Sequence, residues 1–406
     1  MTFDTDILVA GGGLNGVTMA LALRSAGFEV TLVDPQPRST RAAQGFDGRG
    51  YALSILSQRV LKALGVWAHL GEVQPILNIK VTDGRAGEGP SPFVLTFDHA
   101  EIEEGPMGFM VEDRHLRPTL LNAADDAGIT QIEGAAVAQF DTDTAGANVH
   151  LTDGSQIRTR MLIGCDGKRS RVAELSGIKR SLRSYEQTAL VCAIAHEKPH
   201  NGIAHQFFMP PGPLAILPLT GNRASIVWSE TTNRASEIQA LNDAEYLEEL
   251  RPRFGSFLGE IRLAGARFTY PLSLSLAESF VGDRVALVGD AAHVVHPIAG
   301  QGLNAGLKDV AALAQVLTDA RRRGEDFARG DVLARYEQWR RFDTSTLALA
   351  TDGVNRLFSN DNPLARAVRD IGLGVTNALP GLRRGLIREA AGLTGDLPRL
   401  ARGQPL

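Results

Sequence analysis

Cysteine is nearly absent, with Cys165 and Cys192 the two in a chain of 406 residues. Two thiols cannot build a disulfide framework, so the fold must rest on burial, and both read as small core residues suited to a reducing compartment. Long apolar runs are missing as well. The uncharged stretch from Ile7 to Leu23 is broken by Gly11, Gly12 and Gly13 and has no basic segment ahead of it. It therefore reads neither as a signal sequence nor as a membrane span, and insertion across a bilayer is not expected. Nor is there a surplus of positive charge: 42 Lys and Arg stand against 46 Asp and Glu, a net of -4, which leaves no footprint for nucleic acid. What remains is a globular chain, 44% hydrophobic, with material for two or three structural units and a cytoplasmic location as the default.

The pattern along the chain is α/β. Asp6 to Ala10 is a short buried-strand run, glycines follow at once, Val17 to Ala26 has helical character ending at Gly27, and Phe28 to Asp34 is a second strand. Leu53 to Leu64 is the next helix. Ile76 to Phe97 is broken by Gly and Pro and reads as an excursion into a second domain. Met107 to Val111 and Arg114 to Ala127 return as strand and helix. Strand runs follow at Gln131 to Phe140, Asn148 to Leu151 and Ile157 to Gly164, then a β-rich stretch from about 180 to 275. Arg284 to Gly289 is again a buried strand, Gly302 to Leu317 a helix and Val332 to Phe358 a long one. These runs predict a discontinuous nucleotide-binding domain (1–75, 107–178 and 276–345), a substrate domain (76–106 and 179–275) and a C-terminal helical segment (346–406).

Gly11-Gly12-Gly13-Leu14-Asn15-Gly16 fits G-x-G-x-x-G between a strand and a helix. Glycine lets backbone approach a pyrophosphate, and the helix start supplies unpaired N–H groups and partial positive charge. Asp34 ends the second strand, where an acid can accept hydrogen bonds from a ribose hydroxyl pair. Together these point to a dinucleotide without choosing between FAD and NAD. Two later strand ends carry Cys165-Asp166-Gly167 and Gly289-Asp290, which a two-domain NAD dehydrogenase does not need.

With those three markers the chain resembles the group A flavoprotein aromatic hydroxylases. Within that group it is most similar to the ubiquinone-biosynthesis FAD-dependent hydroxylases, through the string His296-Pro297-Ile298-Ala299-Gly300-Gln301-Gly302-Leu303-Asn304-Ala305-Gly306-Leu307-Lys308-Asp309, and through Gly48-Arg49-Gly50-Tyr51-Ala52-Leu53 and Glu112-Asp113-Arg114-His115-Leu116. The resemblance implies a p-hydroxybenzoate-hydroxylase-like fold: a Rossmann-like FAD-binding domain with an inserted mixed β-sheet substrate domain. It implies FAD held by Gly11, Gly13, Leu14, Asn15, Gly16, Asp34, Asp166 and Asp290. Arg49 and Arg114 would contact the flavin nucleotide, Val137 would pack by the adenine, and Gly302, Leu303 and Asn304 would line the isoalloxazine. The implied reaction takes electrons from NAD(P)H and uses a flavin C4a-hydroperoxide to hydroxylate a polyprenylated phenol with O2. It needs no amino-acid nucleophile, and no catalytic acid or base is assigned.

Other readings stand beside this one: a hydroxylase of a soluble aromatic compound, or a flavin-binding scaffold subunit of a lipid-biosynthetic complex. His293 and His296 have no third ligand near them in the sequence and are not read as a metal site. Asp309 has the spacing of a local cap or pair and is not assigned to the site. From Pro363 to Leu406, seven arginines face three acids among apolar residues at helical spacing. That pattern suits ordinary packing, a membrane-surface face or docking to a biosynthetic complex. A homo-oligomer is equally open.

Overall fold

The computed structural model describes residues 2–42, 45–87, 89–358, 372 and 374–406. Thr5–Ala10 sits inside a parallel sheet because Ile7, Leu8, Val9 and Ala10 are all buried, the two-faced burial that a parallel strand requires. Gln156–Gly164 and Val30–Asp34 flank it, with Val285–Leu287 and Thr130–Glu133 beyond them, all in parallel. The register opposes Ala10 to both Gly164 and Val33, and Gly164 to Leu287. The three glycine-containing turns after these strands therefore leave the sheet at one edge, at the carboxyl ends where open α/β sheets bind ligands.

Helix Leu14–Ser25 follows the first strand directly. Its residues Leu14 and Gly16 to Leu23 are buried all round, because it is wedged between the sheet, helix Gln301–Arg322 and helix Asp113–Asp126. It begins three residues earlier than the apolar periodicity predicts, since Gly13 already has the extended backbone of an N-cap. The predicted strand from Gln131 to Phe140 is two strands, Thr130–Glu133 and Val137–Thr142, separated at Gly134, whose φ of 75° ends the first. The strand expected at Arg284 to Gly289 is shorter, Val285–Leu287, with a single 3-10 turn at Gly289–Ala291.

The excursion folds as the antiparallel pair Asn78–Arg85 and Gly89–Asp98, which joins a second, nine-stranded sheet by pairing in parallel with Ile203–Phe208. From there the sheet continues through Leu214–Leu219, Arg223–Thr231, Arg180–His196 and Phe268–Ala277. One face packs Leu190, Cys192, Ile194, Ile226 and Trp228 against Tyr246, Leu250 and Phe254 of helix Asp243–Phe254. That helix starts with a reciprocal cap: Asn242 Oδ1 accepts from Glu245 N at 3.1 Å while Glu245 accepts from Asn242 N at 3.1 Å. The other face looks toward the glycine turns. A three-stranded sheet of Gly50–Leu53, Gly108–Glu112 and Val73–Ile76 lies alongside. The architecture is thus the expected α/β fold with a Rossmann-like unit, an inserted mixed sheet and a helical C-terminal segment.

Helix Gly330–Phe358 is continuous through the division expected at 345/346. Helix Pro380–Ala390 anchors through buried Ile387, which with Ala391 packs against Ile55, Ile76, Met107 and Met110. Part of the basic, apolar tail pattern read from Pro363 onward, residues 363–371 and 373, lies outside the described residues. No helix among the described residues is long and apolar enough to cross a membrane.

Candidate active site

The first turn is shaped for close approach. At Gly11, with φ 103°, an added Cβ would stand 2.4 Å from the Cys165 carbonyl oxygen, and at Gly16 it would stand 1.8 Å from that of Gly11. Gly13 differs: nothing lies within 4 Å of the Cβ it lacks, so the space before helix Leu14–Ser25 is open. This helix and helix Gln301–Arg322 both begin at a glycine with no side-chain cap, Gly13 and Gly300. Each leaves first-turn donors for an anion or a developing negative charge. Gly300 has φ 63° and lies against Ala52.

The second and third turns close on the first. Asn15 is wedged between Gly289 and Gly306, where an added Cβ at either would meet its Nδ2 at 2.3 Å. Arg180 donates to the carbonyls of Lys168 at 3.0 Å and Asp290 at 2.8 Å, tying the two Asp-Gly turns together. Between these turns and the second sheet lies a cavity of about 490 Å³. Gly13, Leu14, Asn15, Cys165, Asp290, Gly302 and Leu303 line one side, and Gln206, Ala215, Leu217 and Val227 the other. A larger polar cleft of about 930 Å³ around Tyr185, Gln187 and Asn355 includes none of the motif residues.

The structure thus gathers Gly13, Leu14, Asn15, Asp290, Gly302 and Leu303 around one cavity, with Gly11 and Gly16 supporting its wall. Asp290 reaches solvent through the cleft yet is walled by protein. Burial pushes its carboxyl above the ordinary value, against the opposing pull of His293, Arg180 and Lys168. Its carboxylate accepts no hydrogen bond from the described residues. Burial likewise pushes the Cys165 thiol well up, so it is an inert wall residue.

The other candidates lie elsewhere. Asp34 accepts from Gly12 N at 2.6 Å and Gln36 N at 2.8 Å, so its first task is to hold the turn. Val137 is buried, two residues beyond Ala135, whose N–H donates to Asp34 O. Asp166 accepts from Ser170 Oγ at 2.6 Å and Val172 N at 3.1 Å, capping the helix that follows. Arg49 pairs with Asp47 at 2.7 Å and lies over the Phe268 ring, while Arg114 pairs with Glu112 at 2.6 Å and lies over Phe46. Neither guanidinium is on the cavity wall. Asn304 is fully engaged: Oδ1 accepts from Ser54 N and Ser57 Oγ, and Nδ2 donates to the carbonyls of Ala52 and Gly300. Its side chain fixes the start of the long helix rather than facing the cavity.

Two groups escaped sequence reasoning. Arg41, almost wholly buried, donates to Gly12 O at 3.1 Å and Gln36 O at 3.1 Å and stands 3.7 Å from Asp34. A Cβ on Gly12 would meet it at 2.3 Å, so that glycine serves the arginine. Its only signal was a basic residue shortly after the strand-ending acid. Asp309 is the other. It is completely buried and accepts from Gly289 N, His293 Nε2 and Arg340 Nε. Burial alone would raise its carboxyl, but His293 and Arg340 hold it below the ordinary value.

A family model described as an FAD binding domain matches residues 4–347. Ubiquinone hydroxylase UbiL of Rhodospirillum rubrum is 42% identical over 406 residues, covering 99% of this chain and 93% of that protein. The 3-demethoxyubiquinol 3-hydroxylase of Escherichia coli is 34% identical over 396 residues, covering 96% and 99%. Among solved structures, p-nitrophenol 4-monooxygenase PnpA of Pseudomonas putida DLL-E4 superposes with a TM-score of 0.78 over 97% of this chain and 99% of its own, at 18% identity, a likeness of fold.

Proposed function

Because the chain belongs to the family of FAD-dependent ubiquinone-biosynthesis hydroxylases, we propose that it hydroxylates the aromatic ring of a neutral, polyprenylated phenol, one oxygen of O2 entering the ring and the other leaving as water. The observation that carries the choice of substrate is the cavity wall. None of its described lining residues is Arg, Lys or His, and the one carboxylate, Asp290, repels anions. An aromatic acid would leave its charge unpaired there, at a cost of several kcal/mol, about as large as a whole binding energy in the millimolar range. The reading of a soluble aromatic acid as substrate is therefore disfavoured.

FAD fits the residues present: two uncapped helix starts, a turn where only glycine fits, and an unpartnered carboxylate in the cleft. In this reading Gly11, Gly13, Leu14, Asn15 and Gly16 hold the pyrophosphate, with Asp34 and Val137 at the adenosine end. Asp290 takes a ribityl hydroxyl, and Gly302 and Leu303 underlie the ring. Asp166 and Asn304 shape the turns from behind. Arg49 and Arg114, held by Asp47 and Glu112, would contact the nucleotide through their remaining N–H groups. The bound flavin supplies the activation of O2, with NAD(P)H as the electron donor. The protein orients the ring, excludes water and, at the start of helix Gln301–Arg322, offers N–H groups and a dipole to negative charge on the cofactor.

The described tail supports peripheral contact with a bilayer that would deliver such a substrate. Leu382 and Leu386, four residues apart on helix Pro380–Ala390, and Val375 and Leu379 just before it are 42% to 50% exposed. The deciding experiment is oxygen uptake by purified, flavin-loaded enzyme with NADPH or NADH. A short-tailed 2-prenylphenol should accelerate uptake and yield a hydroxylated ring. Stimulation by 4-hydroxybenzoate instead would overturn the proposal.

A further inference from the structure

The second sheet carries a row of directly opposed residues, Leu95, Val81, Gln206, Ala215, Val227 and Val191, which share one face by the pairing geometry of sheets, and the middle of the row, Gln206, Ala215 and Val227, lines the cavity. Leu217, two residues from Ala215, points the same way and also lines the cavity. Gln206 is the one polar side chain in this row. It is half-buried, and its amide makes no hydrogen bond with any described residue. The strand neighbours that could have occupied it are aliphatic, and the other polar groups of the cavity are spent or lie opposite. The Tyr51 hydroxyl is 2.7 Å from Asp113 Oδ1 and 3.2 Å from Arg117, and Asn15, whose Oδ1 has no partner among the described residues, stands with Asp290 on the glycine-turn side.

We propose that Gln206 is the substrate-orienting residue of the sheet wall, its amide oxygen accepting the hydrogen of the ring hydroxyl while the aliphatic row holds the ring face. The inference rests on the proposed function and deepens it. An amide set in an apolar wall is costly unless something pairs with it, and a neutral hydroxyl is the partner such a cavity admits. The pairing does two things. It fixes which ring carbon faces the flavin side, and it withdraws the hydroxyl proton from the ring oxygen, which enriches the ortho and para carbons for attack by an electrophilic oxygen. A charged residue at this position would bind acids or expel them, whereas glutamine selects on the presence of a hydroxyl.

The test uses flavin-loaded enzyme and two probes, 2-geranylphenol and geranylbenzene, with dissociation constants read from the change each causes in the visible flavin spectrum. Wild-type enzyme is expected to bind the phenol about fivefold to tenfold more tightly, the worth of one hydrogen bond. Gln206→Leu should erase that preference by weakening the phenol alone, and should raise the share of consumed O2 released as hydrogen peroxide. A merely structural role would weaken both probes equally. Gln206→Met serves the same comparison should the leucine variant fail to retain flavin. A preserved preference for the phenol in the variant overturns the role of Gln206 alone. If neither probe perturbs the wild-type flavin spectrum, the proposed function fails and this inference with it.

Discussion

His293 Nε2 stands 2.6 Å from Asp309 Oδ2, and the same carboxylate oxygen accepts the Gly289 N–H at 3.0 Å. One carboxylate on the long helix thus holds both ends of the turn that presents Asp290. Its other oxygen accepts from Arg340 Nε at 2.8 Å, and Arg340 also pairs with Asp343 at 2.9 Å, so three segments of the chain, at Gly289 and His293, at Asp309 and at Arg340, meet around a carboxylate closed to solvent. Asp309→Asn should remove the charge that Arg340 and His293 oppose while keeping the volume. Loss of one partner of a buried pair costs about 3 kcal/mol here, the low end of the usual range because Asp343 remains. Denaturant unfolding would show this as a lower midpoint, together with weaker flavin retention as the Gly289 turn loosens. An unchanged midpoint would mean that the network carries no net stability.

The glycines of the first turn separate cofactor from fold. Gly16→Ala forces a methyl to within 1.8 Å of the Gly11 carbonyl oxygen and should destabilise by about 3 kcal/mol through overpacking. Gly13→Glu meets nothing, and an acid at a helix start is electrostatically welcome, so the variant should fold as well as wild type. Its carboxylate would stand where a pyrophosphate has to lie. The expected result is a colourless protein with unchanged circular dichroism. Full yellow colour in purified Gly13→Glu would remove the pyrophosphate from this turn.

Asp290 gives a third contrast. Its folded carboxyl is held above the ordinary value, so any stability linked to its protonation is present below the unfolded value and lost as pH rises through the folded one. At neutral pH the ionised group is therefore a burden to the apoprotein. Asp290→Asn should leave the apoprotein as stable as wild type or slightly more so, yet retain FAD less well. Thermal melts with and without added FAD check both halves. A destabilised apoprotein would make Asp290 structural.

These contrasts show which parts of the site the sequence carried. The glycine turns were legible because close approach admits one residue type, and because strand, turn and helix follow one another locally. Asp290 was legible for the same reason. Asp309 was not, since its partners Gly289, His293 and Arg340 are brought to it only by packing of two helices on the sheet, and its helical spacing fitted a local cap or pair. Arg41 was hidden similarly, because nothing local distinguishes a buried arginine from a solvated one. For Asn304 the sequence showed a residue at a helix start, and the structure shows all of its hydrogen-bonding capacity turned inward to Ala52, Ser54, Ser57 and Gly300. Gln206 was overlooked because its meaning depends on the row of cross-strand neighbours, not on its own strand.

The exposed row on the tail predicts a lipid-dependent behaviour. Leu382→Asp with Leu386→Asp adds two negative charges to a face whose neighbouring Arg384 is exposed, and Ile387, which anchors the helix, is untouched. Co-sedimentation with vesicles containing anionic lipid should fall several-fold, while activity on a detergent-dispersed short-tailed phenol should hold. Equal sedimentation of wild type and variant would take the tail out of membrane contact.

His296 supplies the last prediction, one of pH. Its ring is buried, neither nitrogen has a hydrogen-bond partner among the described residues, and its edge meets Tyr185 with ring centroids 5.1 Å apart. Burial pushes its pKa down to about 4 from an ordinary value of 6.5. Above the ordinary value the imidazole is neutral in both folded and unfolded chains and contributes no pH dependence. As pH falls from there toward 4 the unfolded chain takes up a proton that the folded one refuses, and stability drops by on the order of 3 kcal/mol in total. Below about 4 both forms are protonated and the loss levels off. His205 is also pushed down to about 4, by burial and then by Lys80, so wild-type protein carries at least two such liabilities. His296→Phe keeps the ring contact with Tyr185 and sacrifices no hydrogen bond. Unfolding midpoints at pH 7.5 and pH 5 should therefore differ less in the variant than in wild type, with the residual slope assigned to His205. A variant with the full wild-type slope would mean that His296 finds a proton-stabilising partner in solution, and that the loop before Pro297 opens to admit one.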